Sequence, residues 1–305
     1  MRMDGFKAIA IVAVFVVFAV FAGMLVIYFT NAVPAFHRFG IDVYLKNIWN
    51  AAEEPSREAY GIAAAIWGSF YTSLIAVLIA LPLSISYSIF VVDYAPKRLK
   101  NVIIILSDVM AGLPTIIYGI WGAFVLVPLL RDYVMQFLYD HLSFIPLFSY
   151  PPITGYSYLS AGILLAIMVT PFASAIIREA YEMIPYTYRE AAYALGATKY
   201  EATKLLIGYI KPAILSGFIL AFGRAIGETV AVSLVIGNTF NLTWKLFAPG
   251  YTISSLIANQ FGNAFIYEYM TPVLYAAGLA LFIIGLGINI IGLRFIRRWE
   301  ENVKL

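Results

Sequence analysis

The sequence has no cysteine, only two histidines and few charges: of its 305 residues, 12% are Asp, Glu, Lys or Arg. Without cysteine there can be no disulfide, thiol nucleophile or thiolate metal site. His37 and His141 stand far apart with no clustered partners, so neither a metal centre nor a cofactor is expected. No Gly-Lys dipeptide occurs, which excludes a Walker A loop and ATP hydrolysis of the P-loop kind. His-Glu-x-x-His and Gly-x-Ser-x-Gly are also missing, so an intramembrane hydrolase of either type is remote. Basic residues this sparse leave no electrostatic footprint for nucleic acid.

What the chain has instead is apolar surface. Hydrophobic residues make up 62% of it, and mean hydropathy is +0.85. A soluble core of this length could not hide that much and still present a polar exterior. The composition therefore predicts an all-α, polytopic membrane protein. A span needs about 20 mostly apolar residues. Six segments qualify: Ala8–Phe29, Ile62–Val92, Val102–Leu130, Tyr158–Ile177, Ala213–Gly237 and Pro272–Ile296. Their apolar runs are continuous, which excludes a β-barrel with its period-two alternation. Pro82, Pro114 and Pro171 interrupt three of them, as neighbouring helices in a bundle allow. The first run is longer than the roughly 7–15 residues of a secretory core, so it predicts a retained anchor.

The expected organisation is an anchor helix over 1–30, an external segment over 31–61, a permease-like core over 62–296 and a tail over 297–305. Six spans put both termini on one side. Placing them in the cytoplasm assigns fourteen of the twenty Lys and Arg to cytoplasmic segments and five to external ones, with Arg224 alone inside a span. That asymmetry predicts cytoplasmic termini in the cytoplasmic membrane.

The cytoplasmic connection 179–212 carries the strongest local pattern. Thr187 with Glu190, and Thr198 with Glu201, have the spacing of two capping boxes. Gly196 between them suits the left-handed position that ends a helix. Helix, sharp turn, helix is expected there, with Ala191 and Ala192 leaving room for a partner to approach. Glu190-Ala191-Ala192 followed by Gly196 resembles the EAA loop of ABC-importer permeases, whose coupling helix sits in a groove of the ATPase subunit. The family pattern continues with Ile-x-Leu-Pro. Here Leu206-Ile207-Gly208-Tyr209 stands in that place, and a proline follows only at Pro212.

Three further stretches sharpen the likeness. Gly112-Leu113-Pro114-Thr115 through Trp121-Gly122, Gly223-Arg224-Ala225-Ile226-Gly227-Glu228-Thr229, and the region from Trp49 to Asp93-Tyr94-Ala95-Pro96 are similar to phosphate ABC transporter permeases. They resemble the C-type subunit of the phosphate-specific system more than its A-type partner. The resemblance implies a type I importer bundle, a heterodimer with a related permease, two copies of an ATP-binding subunit, an extracytoplasmic phosphate-binding protein, and phosphate as cargo in a lipid-embedded channel. Permeases for sulfate, molybdate or tungstate, and a stand-alone secondary transporter, are the alternatives.

Arg224 and Glu228 are the charged residues of the fifth span. In one continuous helix they would share a face, one turn apart. Each ionised group at mid-span costs about 2.5–3.5 kcal/mol, whereas an i,i+4 pair returns only about 0.2–0.5 kcal/mol in water. Two readings follow: a structural ion pair at a helix interface, or an anion pathway. In the second, the planar Arg224 guanidinium matches phosphate oxygens and Glu228 keeps binding weak enough for conduction. The resemblance implies that both residues matter for transport. Gly223 and Gly227 have the spacing that lets a partner helix come close. Asp108, in the third span, is read as interfacial and facing cytoplasmic basic residues.

Overall fold

A computed structural model describes residues 2–303, so Lys304 and the end of the predicted tail lie outside the described residues. Its helices are α1 Arg2–Phe39, α2 Asp42–Leu45, α3 Ala63–Ile89, α4 Lys97–Gly112, α5 Thr115–Leu142, α6 Tyr158–Glu182, α7 Tyr186–Ala194, α8 Lys199–Tyr209, α9 Lys211–Gly227, α10 Val230–Ser233, α11 Ile253–Gln260 and α12 Met270–Val303. Two short strands, β1 Asn47–Asn50 and β2 Ala59–Ile62, pair antiparallel with Trp49 opposite Tyr60. Five helices are long and apolar enough to cross a membrane, and a sixth span results if α8 and α9, bent by 65°, count as one.

The chain divides into two compact units. The first takes the residues up to Ala63 together with Ile257–Ile284. Here α1 runs on past the expected end of the anchor, to Phe39. It packs through Phe21 on Phe282, Tyr28 on Tyr275 and Phe39 on Tyr269, with Ala32 and Ala35 buried, while most apolar side chains from Ile9 to Val20 stay exposed. The buried Glu58 carboxylate accepts the backbone N–H groups of Glu268 (3.1 Å) and Tyr269 (3.2 Å), which fixes the chain just before α12.

The second unit takes Ala64–Leu256 and the chain from Gly285 onward. Its most enclosed helix is α6, with two thirds of its apolar window buried. Small hydroxyl residues let α3 close on it: Ser84 Oγ donates to the Thr170 carbonyl (3.2 Å) and Ser88 Oγ to that of Ser174 (3.0 Å). From the first turns of α3, Trp67 Nε1 donates to the Thr243 carbonyl (2.9 Å) and Tyr71 Oη to that of Trp244 (2.7 Å). Gly250 lies flat against the Tyr158 ring, where a Cβ would collide.

Two expected spans are corrected. The third does not run through Val102–Leu130. Leu113, which precedes Pro114, adopts an extended conformation (ψ 137°) because proline crowds the helical region of the residue before it. This leaves α4 as a 16-residue helix, about 24 Å long and too short to cross alone. The span proper is α5, which reaches Leu142 inside the connection expected to be external. The fifth span ends at Gly227 instead of Gly237, because Glu228 is extended (φ −68°, ψ 128°). At its other end, Pro212 sits in the first turn of α9, where its missing N–H costs nothing, and the chain bends at Ile210.

Candidate coupling surface and substrate pathway

The segment expected on the cytoplasmic side, 179–212, forms two helices joined by a closed turn. At the end of α7, Gly196 takes φ +81°, its N–H donates to the Tyr193 carbonyl (2.9 Å), and the Ala197 N–H donates to that of Ala192 (3.1 Å). This is a Schellman ending, and it satisfies carbonyls that the helix itself cannot. Thr198 then caps α8. Its hydroxyl accepts the Glu201 N–H (3.4 Å), while Glu201 accepts the Thr198 N–H (2.8 Å), a complete capping box. The Thr198 backbone N–H, followed by its hydroxyl, holds the Glu201 carboxyl below its ordinary range. The first expected box does not form. Pro185 occupies the capping position of α7, so Thr187 already lies inside the first turn and its side chain makes no cap with Glu190.

The two alanines also part company. Ala191 and Glu190 are exposed, whereas Ala192 is buried against the protein itself. Around the turn stand exposed apolar side chains that sequence reasoning did not single out, above all Leu195 (90% exposed), with Tyr193 and Tyr200.

Behind the turn lies a residue whose role was missed. Asp93 sits in the π-helical turn Phe90–Tyr94 that ends α3, and its side chain is almost fully buried. A lone buried carboxylate costs several kcal/mol. Here Arg189 of α7 pairs with it, the Tyr181 hydroxyl donates to its Oδ2 (2.6 Å), and Lys199 Nζ donates to its backbone carbonyl (3.0 Å). The same ammonium lies 3.7 Å over the Tyr94 ring. Burial works against the Arg189 charge, yet the hydrogen bond and charge of Asp93 outweigh it and hold the guanidinium above its ordinary value.

In the membrane, the helix break at Glu228 dissolves the expected i,i+4 pair. The Glu228 carbonyl accepts Ser254 Oγ (2.8 Å), and its carboxylate turns to the Ala231 N–H (3.4 Å), at the start of α10. Arg224 is left in the last turn of α9, exposed, with its guanidinium carbon 3.9 Å from the centre of the Phe172 ring. It forms no ion pair with any described residue. The negative end of α9 favours a cation by about 0.3–1 kcal/mol, much less than the cost of the charge itself. In α5 the Tyr118 hydroxyl donates to the Met110 carbonyl (2.8 Å). Next to Tyr118, Gly119 packs so closely on Ala231 that a Cβ would lie 3.0 Å from the Ala231 Cα. Gly223 and Gly227 face open space. Asp108 is exposed on α4 and pairs with no described basic residue. Among the described residues, no group of three or more His, Asp or Glu could hold a metal.

The sequence model of the binding-protein-dependent transport system inner membrane component matches residues 89–301, which includes the coupling segment and Arg224. The chain belongs to this family. A probable phosphate transport system permease protein PstC of Methanocaldococcus jannaschii is 71% identical over 302 residues, covering 99% of this chain and 96% of that protein. The phosphate transport system permease protein PstC of Xylella fastidiosa is 42% identical over 257 residues, covering 83% and 77%, and that of Mesorhizobium japonicum is 38% identical over 284, covering 92% and 85%. Among solved structures, a chain of the MetNI methionine ABC transporter in an inward-facing conformation aligns with a TM-score of 0.58 over 78% of this chain and 95% of that one. At 15% identity it shows the fold alone, that of a type I importer permease. The permease is thus a multi-pass membrane transport subunit and not an enzyme. Lacking a Walker A loop, it leaves ATP hydrolysis to a separate chain.

Proposed function

We propose that this permease carries inorganic phosphate across the cytoplasmic membrane as one subunit of an ATP-driven importer. Both termini face the cytoplasm. A related permease completes the channel as a heterodimer, and two ATP-binding subunits drive it, one of them seated on the turn around Gly196 with Glu190, Ala191 and Ala192 in its supporting helix. An extracytoplasmic phosphate-binding protein delivers the cargo. The names of the curated relatives support phosphate as that cargo.

The observation that carries the pathway is the unpaired Arg224 guanidinium, exposed at the end of an apolar helix. Such a charge needs a partner from outside the chain, and a planar fork of donors fits phosphate oxygens. Glu228, four residues on and turned into the next segment, limits the local positive charge without cancelling it, so that the anion can leave again.

The experiment is uptake of labelled phosphate into vesicles holding this chain with its candidate permease, ATPase and binding protein. Phosphate uptake that needs ATP and withstands excess sulfate is the expected result. Uptake abolished by sulfate would reassign the cargo, and ATP-independent uptake by this chain alone would overturn the subunit reading.

A further inference from the structure

Asp93 and its partners lie neither on the membrane face of Arg224 nor on the exposed surface of the turn, but between the coupling segment and the spanning helix α3. We propose that Asp93 is the joint through which movement of the coupling turn reaches α3, a positioning role that rests on the coupling reading above.

The argument is geometric. The two helices that flank Gly196 end on the same residue. α7 holds the Asp93 carboxylate through Arg189, and α8 holds the Asp93 backbone carbonyl through Lys199 at its first turn. A third donor, the Tyr181 hydroxyl, comes from the last turn of α6, and the Arg189 guanidinium lies over the ring of that same tyrosine (5.1 Å). A displacement at the turn therefore cannot be absorbed within α7 or α8 alone. It pulls on Asp93 from both sides, and the fixed end of α6 supplies the counterpoint. The attachment is stiff where it needs to be, because its carboxylate is buried and its bonds are charge-assisted. The joint itself lies in a π-helical turn, Phe90–Tyr94, a departure from regular helix that recurs at functional sites. Ala95-Pro96 follows immediately, so α3 ends at the joint and the attachment acts on its terminus, where the lever is longest.

The test uses the assembled transporter with Asp93→Asn and, separately, Arg189→Gln. Asparagine keeps the shape and can still accept a hydrogen bond, but it loses the charge that holds Arg189. The ATPase subunit should co-purify at the normal yield and ATP hydrolysis should persist, while phosphate moved per ATP falls about tenfold or more. A second measurement covers the case in which these variants do not assemble. The cysteine-free chain accepts Asp93→Cys with Arg189→Cys, bridged by a short bifunctional thiosulfonate that reduction removes. Transport should return on bridging and vanish on reduction. Normal phosphate moved per ATP in Asp93→Asn, or bridging without any effect on a transport-deficient double variant, would overturn the joint. Loss of ATPase co-purification in the unaltered chain would instead overturn the coupling reading.

Discussion

Replacing Gly196 tests the coupling turn with a magnitude that comes from backbone conformation alone. Its φ of +81° lies in the left-handed region, and no atom lies within 4 Å of where a Cβ would be built. A substitution therefore meets no steric neighbour, and its whole cost is conformational. For an ordinary L-residue that cost is about 1–2 kcal/mol. It is lower for asparagine, which tolerates this region, and higher for a β-branched residue. A 1–2 kcal/mol penalty lowers the population of the closed turn by roughly 5- to 30-fold. Gly196→Asn, →Ala and →Val should then reduce ATPase co-purification and phosphate uptake in that order, with valine most severe. Thermal stability of the spanning helices should change little, because a side chain at position 196 meets no neighbour. Equal behaviour of all three variants, or a valine variant that binds and transports normally, would refute the assigned turn or its role.

Three other perturbations probe different parts of the reading. With the proposed orientation, Tyr200→Cys should react with an impermeant thiol reagent only from the cytoplasmic face and Phe144→Cys only from outside; reversed labelling would invert the topology. The Glu201 carboxyl is held below its ordinary value, so the capping box is complete above about pH 4.5 and is lost as pH falls through the lowered value. Site-selective NMR of the labelled glutamate should show that depressed titration, and Thr198→Ala should relieve it only in part, because the backbone N–H at position 198 remains. At Arg224, lysine keeps the charge without the planar fork and should lower uptake severalfold, and Arg224→Gln should assemble with its partners yet move little phosphate. Near-normal uptake by the glutamine variant would leave Arg224 a structural residue.

Where the sequence was legible, local chemistry decided the structure. Continuous apolar runs marked α3, α6 and α12 because burial or lipid contact needs nothing beyond composition. Thr198, Glu201 and Gly196 were readable because a capping box and a left-handed ending complete themselves within a few residues. The misreadings have distant or competing causes. Pro114 was treated as a tolerable interruption, although its effect on Leu113 is enough to end a helix. Pro185 displaced Thr187 from the capping position. The break at Glu228 has no glycine-proline signature, and Ser254, which holds its carbonyl, lies 26 residues downstream. Asp93 and Arg189 are 96 residues apart, so no spacing rule could join them.

The stretch 112–122 packs against the chain that follows 223–229, and the helix breaks of the two explain why. Pro114 starts α5, so that Tyr118 stands in its first two turns and donates to the Met110 carbonyl before the break. Gly119 lets α10 pack directly on α5, which needs a chain that has already turned after Gly227. A continuous fifth span would bring Glu228 round to the Arg224 face, where the pair would partly neutralise itself. The break instead commits Glu228 to the Ala231 N–H and its carbonyl to Ser254, and leaves the cation uncompensated within the chain. An uncompensated charge in an apolar helix is a standing cost to folding. In the proposed importer that cost is offset when the channel admits an anion, so the element that destabilises the empty permease is the one that gives it affinity for phosphate.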